Sequence, residues 1–383
     1  MASAGTTTAL VYDDRLSAYR FGDGHPLRPE RVSLAVDLIG AYGLVDGERL
    51  VATEPRPASL EDLHRVHDPR YVAFVQAASD SPDRWVQHMG ISPGDTPAFR
   101  GMHEAAALVA GATTVAVEAV TSGRHARALA PAGGLHHAHR DRAAGFCVYN
   151  DVAVAIAAAL ARDPALRVAY LDIDAHHGDG VQEAFYHEPR VLTISLHEDG
   201  RYLYPGTGSW RERGEGEGTG TAVNVPLPPY ATAECYRIAF DEVVGPAVRA
   251  FGPGLIVTQN GADAHWSDPL TSLGQTVGGY ELLFEHIVRL ADEVCAGRLV
   301  ACGGGGYAWA TAVPRIWTLL AASLVRVSLA DELPEAWVER VRGPGVEPPP
   351  SLRADVLPPA IRADEAEAIR LTRRVVESLV ATV

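Results

Sequence analysis

LDIDAHHGDG, residues Leu171 to Gly180, places three Asp and two His directly behind the apolar run Val168-Ala169-Tyr170. Removing an ionised group from water costs several kcal/mol unless it is paired or bound to metal. An apolar strand that ends in this much charge therefore predicts a site at its carboxyl end.

Working outward, short apolar runs alternate with longer helical patterns. Strands are predicted at Ala9–Tyr12, Ala126–Ala130, Val168–Leu171, Val191–Leu196, Leu255–Thr258 and Leu299–Cys302. Helices are predicted at Arg31–Tyr42, His103–Val120, Asp151–Ala161, Ala233–Ala250, Tyr280–Cys295 and Ala312–Val325. Continuous apolar strands suit a parallel sheet covered on both faces. The alternation is the βαβ signature of an α/β fold, a three-layer αβα sandwich with a central parallel sheet. Ligands of such sheets bind beyond the carboxyl ends of the strands. Four polar clusters fall there: GGLHHAH after Ala126–Ala130, DIDAHHGD after Val168–Leu171, NGAD after Leu255–Thr258 and GGGGY after Leu299–Cys302.

The chain has 383 residues, 47% of them hydrophobic, enough for one large or two ordinary domains. With no repeat and no second α/β set, one domain over 1–383 is expected. Its alternating strand and helix patterns span about 9–325, and a Pro-rich irregular extension at Leu333–Pro359 leads to a last helix at Asp364–Val380. Net charge is 33 − 48 = −15, which argues against nucleic acid as partner. No apolar run reaches the roughly 18 residues of a membrane span, so no membrane partner is expected. The start, MASAGTTTALVYDD, lacks a secretory pattern. The four Cys (Cys147, Cys235, Cys295, Cys302) form no CxxC pair, which disfavours a thiolate zinc site. Scattered Cys without a leader read as reduced, hence a cytoplasmic location. All basic side chains other than His are Arg, which excludes Schiff-base chemistry through a lysine of this chain.

Asp174 and His176 lie two apart, so on extended chain they share a face. Alone they fit a buried hydrogen-bond network as well as a metal. Asp263, in QNGADAH at another strand end, shifts the balance to metal. Three protein ligands leave a coordination position open for water, as in catalytic zinc sites. The adjacent pair His136 and His137 has two carboxylates within reach, Asp172 and Asp179, each able to orient one imidazole. Such pairs beside activated water make a general base and acid. Tyr307, after four glycines, is a candidate donor to a developing oxyanion. The glycine run lacks the Lys and Ser/Thr of a phosphate loop, and GEGEGTG (214–220) reads as a mobile acidic loop.

Taken in order, HPLRPERV, GGLHHAHRDRAAGFCVYND, YLDIDAHHGDGVQEAF, PGTGSW, QNGADAH and GGGGY resemble the zinc-dependent histone deacetylase superfamily, on the arginase/deacetylase fold. The resemblance runs from about Ala9 to about Val325. GDTPAFRGMHEAA and the C-terminal extension most resemble its bacterial acetoin utilization protein AcuC group. It implies an amidohydrolase that removes acetyl groups from acetyl-lysine, with Zn2+ (or Fe2+) on Asp174, His176 and Asp263. His137, oriented by Asp179, is then the main base and acid. His136, paired with Asp172, gives electrostatic support, and Tyr307 polarises the carbonyl. Phe146, Tyr204 and Leu270 would wall a substrate tunnel with Gly145 at its floor. Asp95 at its mouth would accept substrate N–H groups, and Arg31 would line an internal acetate channel. Structural K+ is implied at Asp172, Asp174, His176, Ser195 and Leu196, and a second such cation around Phe185, Glu188 and Val191.

The chain departs from the family in places. His265 and Trp266 stand where many members have smaller or aliphatic residues, which predicts an unusual pocket rim. Tyr204 replaces a common Phe. Gly178 stands where the two-manganese arginase pattern needs a carboxylate. Besides acetylated protein, a small acetylated amine such as an acetylpolyamine is an alternative substrate, and a catalytically dead binding module a third reading. A homo-oligomer is compatible with all three.

Overall fold

Successive residues of a strand point to opposite faces, and the strand residues of this chain divide accordingly between two apolar cores. Leu10, Leu129, Leu171, Ile194 and Ile256 face one core, while Val11, Ala130, Tyr170, Val191 and Val257 face the other. The structure, a computed structural model, describes residues 7–381 apart from 86 and 344. The first six residues, part of the stretch read above for a secretory pattern, and the last two lie outside the described residues.

Among the described residues eight strands form one sheet: β1 (Thr8–Val11), β2 (Leu50–Thr53), β3 (Arg127–Ala130), β4 (Val168–Asp172), β5 (Val191–Glu198), β6 (Ala222–Leu227), β7 (Leu255–Gln259) and β8 (Leu299–Cys302). Their order is β2-β1-β3-β8-β7-β4-β5-β6, and every neighbouring pair is parallel. The helices Glu30–Ala41, Val277–Cys295, Ala312–Val325 and Pro359–Val380 contribute to the first core, and Pro69–Asp80, Met102–Thr121 and Asp151–Arg162 to the second. This is the three-layer α/β arrangement of the arginase/deacetylase fold. The strands that precede the four polar clusters, β3, β8, β7 and β4, are consecutive neighbours at the centre of the sheet. Their loops therefore share one stretch of rim.

Two strands escape a sequence reading. β2 is four residues long and half exposed at an edge. β6 carries Pro226, which argues against a strand, but it is also an edge strand with β5 as its one neighbour, where Pro is tolerated. The helix expected at Ala233–Ala250 is interrupted by a π-helical stretch, Phe240–Val244. Pro246 follows it; a proline inside a helix lacks an N–H and crowds the carbonyl four residues back, and a wider turn relieves both. The segment expected to be irregular, Leu333–Pro359, contains a helix at Glu335–Val341 that buries Trp337 and Val341, and the last helix starts earlier than expected, at Pro359.

Met102–Thr121 also corrects an expectation. It is long and apolar enough to cross a membrane by length and composition, but 83% of that window is buried inside the fold. Its apolarity serves the second core, where it packs against Asp151–Arg162 and β3.

Trp317, fully buried on Ala312–Val325, ties the first core to the site: its indole N–H donates to the Asn260 carbonyl at 2.9 Å. Trp317→Ala is expected to cost about 3–5 kcal/mol, read as a lower urea midpoint at unchanged slope.

Candidate metal centre and its histidine pair

The chain leaves β4 in a series of bends that the acidic side chains themselves hold. Asp172 Oδ1 accepts the Asp174 N–H at 3.0 Å, and Asp174 Oδ1 accepts the His176 N–H at 2.9 Å. These local turns, favoured by Asp, replace the extended segment expected from the spacing. They bring Asp174 and His176 to the same point all the same. His176 Nδ1 lies 3.1 Å from Asp174 Oδ1 and 2.9 Å from Asp263 Oδ2. The three side chains are buried, and their potential ligand atoms lie within 4.8 Å of one another.

The remaining oxygens are held from three directions. Asp174 Oδ2 accepts from Gln259 Nε2 and from the Gly305 N–H, both at 2.6 Å, and Asp263 Oδ1 accepts the Ala175 N–H at 2.9 Å. Burial and the Asp174 charge push the Asp263 carboxyl up to about 6. Burial opposes charge on His176, yet hydrogen bonds to both carboxylates hold its proton affinity well above the usual imidazole range. Two carboxylates pressed on one imidazole, all out of water, form a donor set suited to a divalent cation, zinc or iron(II) alike.

Beside this group, His136 Nδ1 meets Asp172 Oδ2 at 2.8 Å and His137 Nδ1 meets Asp179 Oδ1 at 2.7 Å. An ionised carboxylate only accepts, so each Nδ1 carries its hydrogen. The two Nε2 atoms face each other at 3.0 Å, so one must donate to the other. Burial lowers both proton affinities. At His136 the Asp172 and Asp174 charges outweigh burial and push it up to about 9, whereas burial and the charge of His136 push His137 down to about 4. His136 is thus the imidazolium of the pair and His137 the neutral base.

Several of these contacts are not apparent from residue spacing. Asp179 is shared: its Oδ2 lies 3.3 Å from His139 Nε2, and His139 Nδ1 bonds Glu183. The third His of HHAH was the available signal. Tyr170 donates to Asp172 Oδ2 at 2.6 Å. Asp268 accepts the N–H groups of Tyr307 at 2.7 Å and Leu270 at 2.9 Å. Burial and the Asp263 charge push its carboxyl up to about 7.

A narrow cavity reaches the group, lined by Leu27, Arg31, His136, Gly145, Phe146 and Tyr307 among others. Burial and the Asp263 and Asp174 charges hold the Tyr307 hydroxyl well above its usual range, so it remains a donor. Arg31 donates to the Gly304 carbonyl at 2.6 Å and lies over the Trp317 ring. Gly145 has a positive φ of 51°, and a Cβ there would sit 2.4 Å from His137 Cδ2. Asp95 Oδ2 accepts the Gly145 N–H at 3.2 Å, so part of this carboxylate braces the cavity wall. Tyr204 stacks edge-on against the His137 ring, 5.2 Å between centroids, and is 48% exposed. Leu270 is exposed near Asp268 and does not line the enclosed cavity. A larger cleft, about 630 Å³, lies beyond Asp179 against His139, Glu183, Tyr204 and Glu212 and does not reach the three ligand candidates.

Of the positions expected to hold monovalent cations, Asp172 and Ser195 are partners in the β4–β5 register, with Leu196 next along β5. The Phe185 and Glu188 carbonyls accept the N–H groups of Glu188 and Val191 in a tight turn, and the Glu188 carboxylate holds Arg190. His265 does not form a rim; it is 1% exposed and turned inward.

Comparison with known proteins agrees with this geometry. A histone deacetylase domain model matches residues 25–324. The acetoin utilization protein AcuC of Bacillus subtilis (strain 168) is 39% identical over 333 residues, 86% of this chain and 85% of that protein. AcuC of Staphylococcus aureus (strain MRSA252) is 38% identical over 338 residues, 87% and 86% of the two chains. AcuC of Staphylococcus xylosus is 35% identical over 345 residues, 89% and 88% of the two chains.

Gly305 tests the ligand group without replacing a ligand. A Cβ there would lie 2.0 Å from Asp263 Oδ2 and 2.9 Å from Asp174 Oδ2. Gly305→Ala is expected to leave the circular dichroism spectrum unchanged and to weaken zinc binding at least roughly tenfold, measured by competition with a chromogenic chelator.

Proposed function

The chain belongs to the histone deacetylase family, in its AcuC group, and from that premise we propose that it is a metal-dependent amidohydrolase that removes acetyl groups from lysine side chains of proteins. The observation that carries the reading is the placement of a neutral, carboxylate-oriented imidazole, His137, and a phenol, Tyr307, on one narrow cavity with His176 and Asp174.

Asp174, His176 and Asp263 would hold the divalent cation, which supplies a Lewis acid for the acetyl carbonyl and makes water more acidic. The chain's own residues do the rest. His137 accepts the proton of the attacking water at Nε2 while Asp179 fixes its Nδ1–H, and then returns that proton to the departing amine. His136, held protonated by Asp172, contributes positive charge beside the developing oxyanion. Tyr307 donates its hydroxyl hydrogen to the same oxygen. Arg31 and Tyr307 line the enclosed cavity next to the site, where a small carboxylate product can be received before it leaves.

A protein substrate suits the exposed rim. Tyr202 and Tyr204 are 61% and 48% exposed and Leu270 is 38% exposed, apolar groups that a peptide chain carrying the acetyl-lysine could cover. A zinc or iron(II) ion is the cofactor of this reading, and potassium its structural cation.

Turnover of an acetyl-lysine peptide should disappear on dialysis against a chelator and return with zinc or iron(II). Absence of metal-dependent turnover on both this peptide and N-acetylputrescine would overturn the reading, and turnover of the amine alone would reassign the substrate. Tyr307→Phe should lower kcat about 10²–10³-fold with zinc content unchanged by elemental analysis. His137→Ala should lose more rate than His136→Ala; the reverse order would exchange their roles.

A further inference from the structure

Two oddities of the sequence meet in the fold: His265, two residues after Asp263, and the Pro-rich C-terminal segment. His265 Nδ1 accepts the Ser267 N–H at 3.2 Å, so Nε2 carries the ring hydrogen. That Nε2 lies 3.1 and 3.2 Å from the two oxygens of Asp355, in the C-terminal segment. The Asp355 side chain is 6% exposed. It also accepts the N–H of Val277, the first residue of Val277–Cys295, at 2.6 Å, and Arg315 Nη2 stands 3.4 Å away. Arg315 is itself 3% exposed, and its Nη1 donates to the carbonyls of Ser351, Leu352 and Ala354 at 3.5, 3.3 and 2.9 Å. A buried ionic network of this kind is stable only when complete, because each member removed leaves the others unpartnered.

The peptides between Asp263 and His265 are pinned as well. Thr271 Oγ1 donates to the Asp263 carbonyl at 2.5 Å. The Ala264 N–H bonds the Tyr280 hydroxyl at 3.1 Å, and its carbonyl accepts the Gln275 N–H at 3.0 Å. The His265 side chain extends this line to Asp355, which anchors it.

We propose that Asp355 is a positioning residue for the divalent-metal centre: the C-terminal segment reaches over the fold and, through His265, holds the backbone that presents Asp263. This rests on the reading of Asp174, His176 and Asp263 as metal ligands. It assigns the C-terminal segment a part in metal binding, beyond covering the first core with Leu352.

The test is zinc titration of the full-length apoprotein in competition with a chromogenic chelator, with thermal unfolding of the same apoproteins alongside. Wild type should take one equivalent. Asp355→Ala and His265→Ala should each weaken zinc binding about 10–100-fold, and Asp355→Asn, which keeps an acceptor for His265, should lie between them and wild type. Arg353→Ala is the control: Arg353 ties the same segment to Glu281 at 2.6 Å but has no contact with His265. Wild-type zinc affinity in His265→Ala and Asp355→Asn would overturn the proposal even if Asp355→Ala failed to fold. Equal weakening in Arg353→Ala would also overturn it, since loosening of the segment would then be sufficient. If Asp263→Ala bound zinc as wild type does, the metal reading itself would fail, a result separate from these.

Discussion

Asp174 and Asp263 lie against the same imidazole nitrogen of His176, at 3.1 and 2.9 Å, with no exposure to water. The effective cost of burying an ion is several kcal/mol, and here two carboxylates also repel each other. Such a cluster persists only where positive charge and directed donors surround it. The donors come from distant parts of the chain: Gln259 at the end of β7, the Gly305 N–H after β8 and the Ala175 N–H after β4. The centre therefore exists only when those three strands lie side by side, which the parallel order β8-β7-β4 provides.

Close backbone approach is the second consequence of that constraint. The loop after β8 threads between the ligand group and the helix that follows it. A Cβ at Gly303 would lie 2.2 Å from the Pro131 carbonyl oxygen, and one at Gly304 would lie 2.5 Å from Gln259. The glycine run is thus explained by space: the peptide N–H of Gly305 has to reach a carboxylate that no residue with a side chain could approach so closely. Tyr307 leaves this loop already aimed at the cavity, with its own N–H fixed by Asp268.

The histidine pair shows how position separates chemically identical groups. His136 and His137 are neighbours in sequence, both buried and both paired with an Asp. They differ in what else they face. His136 sees the charge of Asp174 in addition to Asp172, while Asp179 divides its oxygens between His137 and His139. One imidazole is held as a cation and the other is left neutral, which is the asymmetry that a base and an electrostatic partner need.

Much of this was legible in the chain because it is local. Strand and helix periods repeat within a few residues, so six of the eight strands and the alternation that implies a parallel sheet can be read directly. The chemistry of Asp, His and Tyr likewise goes with the residue, so DIDAHH, NGAD and GGGGY announce a site. The edge strands β2 and β6 are not legible, since one is too short and the other carries a proline that only an edge position excuses. Nor are Gln259, Asp268 and His139, whose importance lies in a partner far along the chain. His265 is the sharpest case: next to a ligand it reads as part of a pocket rim, but the fold turns it inward to Asp355, 90 residues away. The sequence by itself determined which groups could do the chemistry and on what kind of scaffold. Strand order and long-range packing alone decided which groups meet, because the contacts that set their distances and protonation join segments that no local pattern relates.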